Sequence, residues 1–126
     1  MIDIDLRTHL LADTAISSTV AGVYALRLPQ DTTSSAIVYE IGAGHSAPQI
    51  GSMETVIRHT VTLFAYSPSY QTLRVLSENI TNLLNGMTGP MGSTSVTGSQ
   101  IDSSINTYEE ELQLYRNIIN LTIYSN

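Results

Sequence analysis

The chain has 126 residues, of which 42% are apolar, and this length and composition predict one domain with a single core. It contains no cysteine, which excludes disulfides, iron–sulfur clusters and thiolate zinc sites. Five basic residues against eleven acidic ones give a net charge of −6. This balance argues against a nucleic-acid-binding surface, because such surfaces use lysine and arginine to neutralise phosphates.

The low charge density is the most informative compositional feature. Only 13% of the residues are charged, whereas soluble domains carry about a quarter. All the basic residues are arginine, and serine and threonine number fifteen each. Subunit interfaces are depleted in lysine and glutamate. The composition therefore predicts a surface largely covered by neighbouring copies, with a monomer of unusual composition as the alternative.

The chain start and the apolar runs predict a protein without membrane attachment. The first residues include Asp3 and Asp5 and show no secretion leader. No apolar run approaches the roughly 18–20 residues of a membrane helix. We therefore expect a soluble protein made in the cytoplasm.

The first half of the chain predicts two short helices followed by two strands. Residues 3–12 carry one apolar helical face, and Asp13 is placed to cap a second helical turn. Residues 36–41 form the first predicted strand. Residues 56–66 alternate apolar and polar side chains, which is typical of a half-buried antiparallel strand.

The second half predicts one strong helix and two further strands. Residues 70–85 form the helix, and residues 86–99, rich in glycine, form a loop or a loosely twisted edge. Residues 101–105 form a short strand, residues 109–111 a solvated acidic turn, and residues 115–124 the last strand. The apolar positions of the helix are Leu73, Leu76, Ile80, Leu83 and Leu84.

The predicted element order is α(α)-β-β-α-β-β, over one domain spanning residues 1–126. Strands that follow one another in pairs favour an antiparallel sheet of about four strands with helices packed on one face, an α+β fold. The predicted core joins the helix face Leu73, Leu76, Ile80 and Leu83 to the sheet face Ile57, Val61, Leu63, Ile119, Leu121 and Ile123.

No segment of the sequence predicts a catalytic, cofactor or metal site. Residues 42–47 match the dinucleotide-binding pattern G-x-G-x-x-A, but Pro48 follows where a helix would have to open. His9, His45 and His59 lack the spacing of metal ligands. His59 shares the apolar face of its strand and is predicted to be a hydrogen-bonded sheet histidine.

The segment at residues 42–53 is predicted to contact other subunits. It is longer than the 2–5 residues of a hairpin loop, and it ends in apolar side chains. Methionines in the loop at residues 86–99 also suit adaptable contacts. A flexible surface loop is the alternative. The predicted contact residues are Gly44, His45, Ser46, Gln49, Ile50, Met53, Met87 and Met91.

Several segments together resemble a family of small phage tail-completion proteins. The resemblance covers nearly the whole chain as a pattern of apolar residues. It is carried by DLRTHLLAD at residues 5–13, VAGVY at 20–24, Pro29, IVY at 37–39, RHTVTLFAY at 58–66, LLNG at 83–86 and YRNIINLTIY at 115–124.

The resemblance implies a subunit of a hexameric ring that caps the tail tube of a long-tailed phage. Such a tail-terminator or tail-to-head joining protein ends tail growth, with the tail tube protein on one face and the head connector or neck protein on the other. The resemblance also implies that DNA passes through the ring without specific binding. This would explain the acidic, lysine-free composition. The expected location is the virion tail or neck, after assembly in the host cytoplasm. The alternatives are a head-completion adaptor or a minor tail protein, and then a non-viral binding module or a small enzyme.

Overall fold

The computed structural model describes residues 2–30, 33–42, 45–48 and 55–125, which form three helices and seven strands. The helices are α1 (Ile2–Ala12), α2 (Thr14–Ser17) and α3 (Tyr70–Leu84). The strands are β1 (Val23–Ala25), β2 (Ala36–Ile41), β3 (His45–Pro48), β4 (Thr55–Ser67), β5 (Gly89–Met91), β6 (Thr94–Glu109) and β7 (Leu114–Ser125).

All of these strands belong to one sheet in the order β1-β2-β4-β7-β6-β5, with β3 pairing with β4. Every pairing is antiparallel except that of β1 with β2, which is parallel. The predicted α+β class is confirmed, but the predicted number of about four strands is wrong. The missed strands β1, β3 and β5 span only three or four residues each, too few to display an alternation of apolar and polar side chains.

Polar side chains determine where α2 and α3 begin. Asp13 caps α2 as predicted: its carboxylate accepts hydrogen bonds from two backbone N–H groups, at 2.9 and 3.2 Å. Ser69 caps α3 by accepting from a backbone N–H of the first turn at 3.4 Å. After α3, Gly86 adopts a φ of 72°, the left-handed conformation in which glycine commonly ends a helix.

One apolar core lies between the three helices and one face of the sheet. The predicted packing of α3 on β4 and β7 is confirmed, while Leu83 and Ile57 are half-buried rather than buried. The buried helix residues are Leu6, Leu10, Ile16, Leu73, Leu76, Ile80 and Leu84. The buried residues of the two central strands are Val61, Leu63, Ala65, Ile119, Leu121 and Ile123.

A smaller apolar cluster lies on the other face of the sheet. Val38, Tyr66 and Leu114 are buried there. Tyr24, Leu28 and Phe64 pack against them and are partly buried. This face therefore has an apolar patch of its own near the end of the sheet where β4 ends and β7 begins.

Residues 86–99, predicted to be a loop or a loosely twisted edge, form a hairpin at the edge of the sheet. β5 pairs with the start of β6, and Gly92 adopts a φ of 60° in the turn between them. β6 then runs well beyond the predicted residues 101–105. Its serine-rich and threonine-rich sequence gives no apolar period, because most of the strand lies exposed at an edge of the sheet.

The predicted loop at residues 42–53 contains β3 and is therefore not a structureless connection. β3 continues the edge that β2 forms along β4: Ile41 pairs with Val61, and His45 pairs with Arg58. Between them the Gly42 N–H donates to the carbonyl of Thr60 at 2.9 Å.

Candidate subunit contact surfaces

The predicted contact residues of the first half of the chain lie in β3 or outside the described part. His45 and Ser46 are β3 residues, so the glycine-rich pattern at residues 42–47 leads into a strand rather than into a helix. Gly44, Gln49, Ile50 and Met53 lie outside the described residues. Their contact role stays a prediction.

The two predicted methionines have different environments. Met87 is half-buried against the core, and its backbone N–H donates to Ser99 Oγ at 2.9 Å. Met91 is only 1% exposed and packs inside the core. We therefore remove Met91 from the predicted contact surface, because its side chain is buried in the core and cannot contact a partner.

Exposed apolar side chains lie on both faces of the β6–β7 hairpin, and we define them together as the ridge: Ile105, Tyr108 and Leu112. These side chains are 59%, 49% and 44% exposed. Ile105 pairs with Ile118 on the face of the sheet away from the helices, whereas Tyr108 pairs with Tyr115 on the helix face. The Tyr108 ring makes an edge-to-face contact with Tyr115, with centroids 4.9 Å apart. Each of these side chains leaves roughly half of an apolar surface in contact with water, so both faces of the hairpin are candidate docking surfaces.

The backbone of β6 beside the ridge has an open edge. Within the described ranges, β5 covers the outer edge of β6 only up to Val96. The end of α3 covers it a little further, where the Ile101 N–H donates to Asn85 Oδ1 at 3.1 Å. From Asp102 to Glu109 the described residues supply no outer backbone partner. Such an edge is a template for pairing with another chain, and here neither lysine nor proline protects it.

An apolar groove lies at the opposite side of the sheet, between the start of α1 and the β1–β2 edge. Its cavity has a volume of about 450 Å³. Leu26 is 70% exposed and has a φ of 68°, a conformation uncommon for leucine. The groove is lined by Ile2, Asp3, Ala25, Leu26, Tyr39 and Ile41.

The groove and the ridge lie at the two ends of one row of paired residues. Ala25 pairs with Tyr39, Tyr39 with Leu63, Leu63 with Ile119, and Ile119 with Ser104. Neighbouring strands are about 4.8 Å apart, so this row spans roughly 19 Å. Leu26 and Ile105 follow the two end residues of the row. The two apolar surfaces are therefore on opposite edges of the sheet and at the same level along the strands.

The charges near the two surfaces differ. The β6–β7 turn carries the exposed Glu110 and Glu111, while Glu109 pairs with Arg116 at 3.4 Å. Beside the groove, Arg27 follows Leu26 directly and is exposed. Asp3 and Glu40 place acidic groups near the groove as well.

His59 makes a structural hydrogen bond within the sheet. His59 Nε2 lies 3.0 Å from Ser125 Oγ, as predicted for a sheet histidine, and burial lowers the pKa of His59. The described residues contain no cluster of histidine and carboxylate groups with metal-ligand geometry. None of the helices within these ranges is long and apolar enough to span a bilayer.

Sequence reasoning missed the main features of both surfaces. Ile105 had been predicted as a strand residue, but nothing indicated that its strand would be an edge. Leu26 and Tyr108 had no predicted role. The stretch from Thr94 to Glu109 lacks lysine and proline, which commonly mark an exposed edge strand, so no local signal identified it.

Comparisons with known proteins agree with this fold. A family model described as "Tail completion protein gp17" matches residues 4–125. A chain from a solved structure titled "Virion of native gene transfer agent (GTA) particle" superimposes with a TM-score of 0.67. That match has 14% sequence identity and covers 94% of this chain and 89% of that chain, so it shows a shared fold. No curated protein sequence matches the chain.

Proposed function

Because the chain belongs to the tail completion protein gp17 family, we propose that it forms a ring that caps the tail tube, ends tail growth and joins the tail to the head. The family is a class of viral tail structural proteins, so the chain is a phage-like virion structural protein and not an enzyme. The family match over residues 4–125 is the observation that carries the proposal. It also supports one domain over residues 1–126.

A ring of identical subunits, six in number, is the assembly we propose. The low charge of 13% supports extensive contacts between copies. Contacts between two different surfaces of each subunit close into a ring when the rotation permits. The ridge and the groove supply two such different surfaces, on opposite edges of the sheet.

The charge distribution supports a ring through which DNA passes without binding. The net charge is −6. The exposed arginines lie in different elements, so they form no run along one of them: Arg7 in α1, Arg27 after β1, Arg58 in β4 and Arg74 in α3. A protein that grips DNA concentrates such groups in one basic patch.

The two faces of the ring would meet different partners, the tail tube protein on one side and the head connector or neck protein on the other. Residues 42–53 and Met87 are the segments we propose for contacts with neighbouring subunits or with the tail tube. The particle would be assembled in the host cytoplasm, and the protein would be found in the tail or neck of the virion.

The proposal is tested by deleting the gene from the particle's genome and supplying it from a plasmid. We expect the deletion lysate to contain filled heads and separate tails, with tails of irregular length. The plasmid copy should restore joined particles with tails of uniform length. Joined particles of normal tail length in the deletion lysate would contradict the proposal. Separate tails of uniform length would instead assign the protein to joining alone, as in a neck adaptor.

A further inference from the structure

We propose that the outer edge of β6 binds an extended segment of a different protein, which adds to the sheet as a further strand and carries basic side chains near both of its ends. This inference goes beyond the proposed ring and does not depend on it. The occupant is defined by its chemistry alone: a backbone that pairs with residues 102–109, and arginine or lysine beside the acidic groups at the two ends of that stretch.

The hydrogen-bond pattern of the sheet determines which backbone groups of β6 point outwards. The Ile101 N–H donates outwards to Asn85 Oδ1, so Leu121, which pairs with Ile101, has no backbone bond to β6. The bonds from β7 to β6 therefore come from the residues next to Leu121 and from every second residue after them. Beyond the bulge at Asp102, the β6 residues left pointing outwards are Ser104, Asn106 and Tyr108. Each offers one N–H and one C=O, and the described residues place no strand beyond them.

The edge is already held in an extended conformation by contacts with β7. Asn117 Nδ2 donates to Ser104 Oγ at 3.1 Å and to Asn106 Oδ1 at 2.7 Å. The Tyr108 ring contacts the Tyr115 ring edge to face. A strand that is ordered before binding loses little conformational freedom when a partner pairs with it, which favours binding.

Acidic groups lie at both ends of this open stretch. Asp102 is exposed, and its carboxylate accepts hydrogen bonds from Thr122 Oγ1 at 2.7 Å and from Gln100 Nε2 at 2.9 Å. Glu110 and Glu111 are exposed in the turn that follows β6. A strand that pairs along the whole stretch therefore meets negative charge at both of its ends, and basic side chains at those positions favour the contact.

The same charges disfavour pairing with the β6 edge of a second copy. Two antiparallel copies use all their outward residues when Asn106 lies opposite Asn106, which sets Ser104 of each copy opposite Tyr108 of the other. This register also places Asp102 of each copy opposite Glu110 of the other. Like charges directly opposite each other destabilise a strand pair. The edge thus selects against itself.

No segment of this chain carries the complementary charge. A segment that reaches from Asp102 to Glu110 is nine residues long. The nearest two arginines, Arg58 and Arg74, are too far apart to lie at the two ends of one such segment, and the chain has no lysine. The occupant with basic side chains at both ends is therefore a different protein.

Hydrogen–deuterium exchange of the full-length protein tests this surface with a synthetic peptide as the probe. The peptide is Arg-Thr-Val-Thr-Thr-Thr-Val-Thr-Arg, which matches the stretch in length and is basic at both ends. At about 1 mM peptide we expect the amides of Ser104, Asn106 and Tyr108 to exchange roughly fivefold more slowly, because binding covers their N–H groups. The amides of Ser103 and Ile105, which point towards β7, should not change.

Two control peptides separate the contribution of charge from that of the backbone. A peptide with glutamate in place of both arginines should not slow exchange, since it repeats the charge of the edge. A peptide with N-methyl groups on its three central residues should not slow it either, because it keeps the charge but loses the central hydrogen-bond donors.

A protein variant tests the acidic ends directly. Asp102→Asn/Glu110→Gln should weaken binding of the arginine peptide by roughly fivefold, the scale expected when two exposed ion pairs are lost. The matched control is Glu78→Gln, at an exposed position on α3, which should leave binding unchanged. Thermal melting checks that each variant is folded.

The inference is overturned if the arginine peptide leaves the outward amides unchanged, or if either control peptide slows them equally. Slowing that grows with protein concentration in the absence of peptide would assign the edge to a second copy and would also overturn it. All of these results concern the purified chain. They are therefore independent of tail length and head joining, which test the proposed function.

Discussion

Asp5 joins two parts of the chain that are far apart in sequence. It lies on α1, and its Oδ2 accepts hydrogen bonds from Ser93 Oγ at 2.8 Å and from Thr94 Oγ1 at 2.6 Å. The turn between β5 and β6 comes so close that a Cβ at Gly92 would collide with the Asp5 carboxylate. This residue therefore holds the start of the β6 edge against the helical layer.

Asp5→Asn should make stability less dependent on acidic pH. The hydrogen bonds from Thr94 and Ser93 lower the pKa of Asp5 from 3.8 to about 2. Because the folded protein has the lower pKa, this stabilisation is present above about pH 4 and is lost as the pH falls towards about 2. We expect the melting temperature of the wild type to exceed that of Asp5→Asn above about pH 4, with the difference shrinking towards about pH 2.

The control for this experiment is Glu110→Gln, which removes one acidic group from an exposed turn. Its melting temperature should stay close to that of the wild type, since surface substitutions usually change stability by less than about 0.5 kcal/mol. If Asp5→Asn lowers the melting temperature by the same amount at about pH 5 and at about pH 2, the carboxylate charge is not the stabilising feature.

Helix-capping residues were predictable from the sequence because their partners are local. Asp13 was predicted as a cap because its hydrogen-bond partners follow it within three residues. The partners of Asp5 lie 88 and 89 residues away, so no local pattern indicates them. The positive φ of Leu26 was equally invisible, since glycine is the residue that normally marks this conformation.

Among the elements, the long periodic ones were predicted and the edge ones were not. Apolar residues recur at helical spacing in α3 and at every second position in β4 and β7, because each of these elements buries one side in the core. The outer part of β6 buries almost nothing, so its sequence carries no period from which its length could be read. β1 and β5 pair over only three residues each, and nothing in so short a stretch distinguishes a strand from a loop.

Leu76→Ala should lower the free energy of unfolding by about 2–5 kcal/mol, the usual range for truncating a buried leucine. Leu76 lies on α3 and is 0% exposed in the core. Leu121 on β7 is equally buried, so Leu121→Ala should lower the free energy of unfolding by a similar amount. The neighbouring Val75→Ala, at a 55% exposed position, should change stability by less than about 0.5 kcal/mol. Chemical denaturation measures all three, and equal effects of Leu76→Ala and Val75→Ala would contradict the assigned core face.

The connection between β3 and β4 offers a test of the predicted contact loop. Residues 49–54 separate Pro48 from its partner Thr55, and an Asn-Gly pair would close the same hairpin with two residues. Removing the whole predicted contact segment, residues 42–53, would also delete β3. We expect the Asn-Gly variant to fold with near-normal stability but to fail in joining heads to tails. Normal particle yields from this variant would show that residues 49–54 make no essential contact.

At the scale of the whole molecule, the sequence indicated the class of protein but not the geometry of assembly. The apolar pattern over residues 5–124 indicated a phage tail-completion protein, and the family match over residues 4–125 confirms that class. The angle between neighbouring copies would decide how many of them close the proposed ring. That angle depends on the twist of the whole sheet, which no local segment of sequence determines.

The central claim is a closed ring of six copies at the end of the tail that meets the head. A reconstruction of purified particles, imaged without imposed symmetry, measures both the position and the copy number directly. We predict six copies of this chain in one ring between the tail tube and the head. A ring of another order, a single copy, or density for this chain anywhere else in the particle would contradict the account.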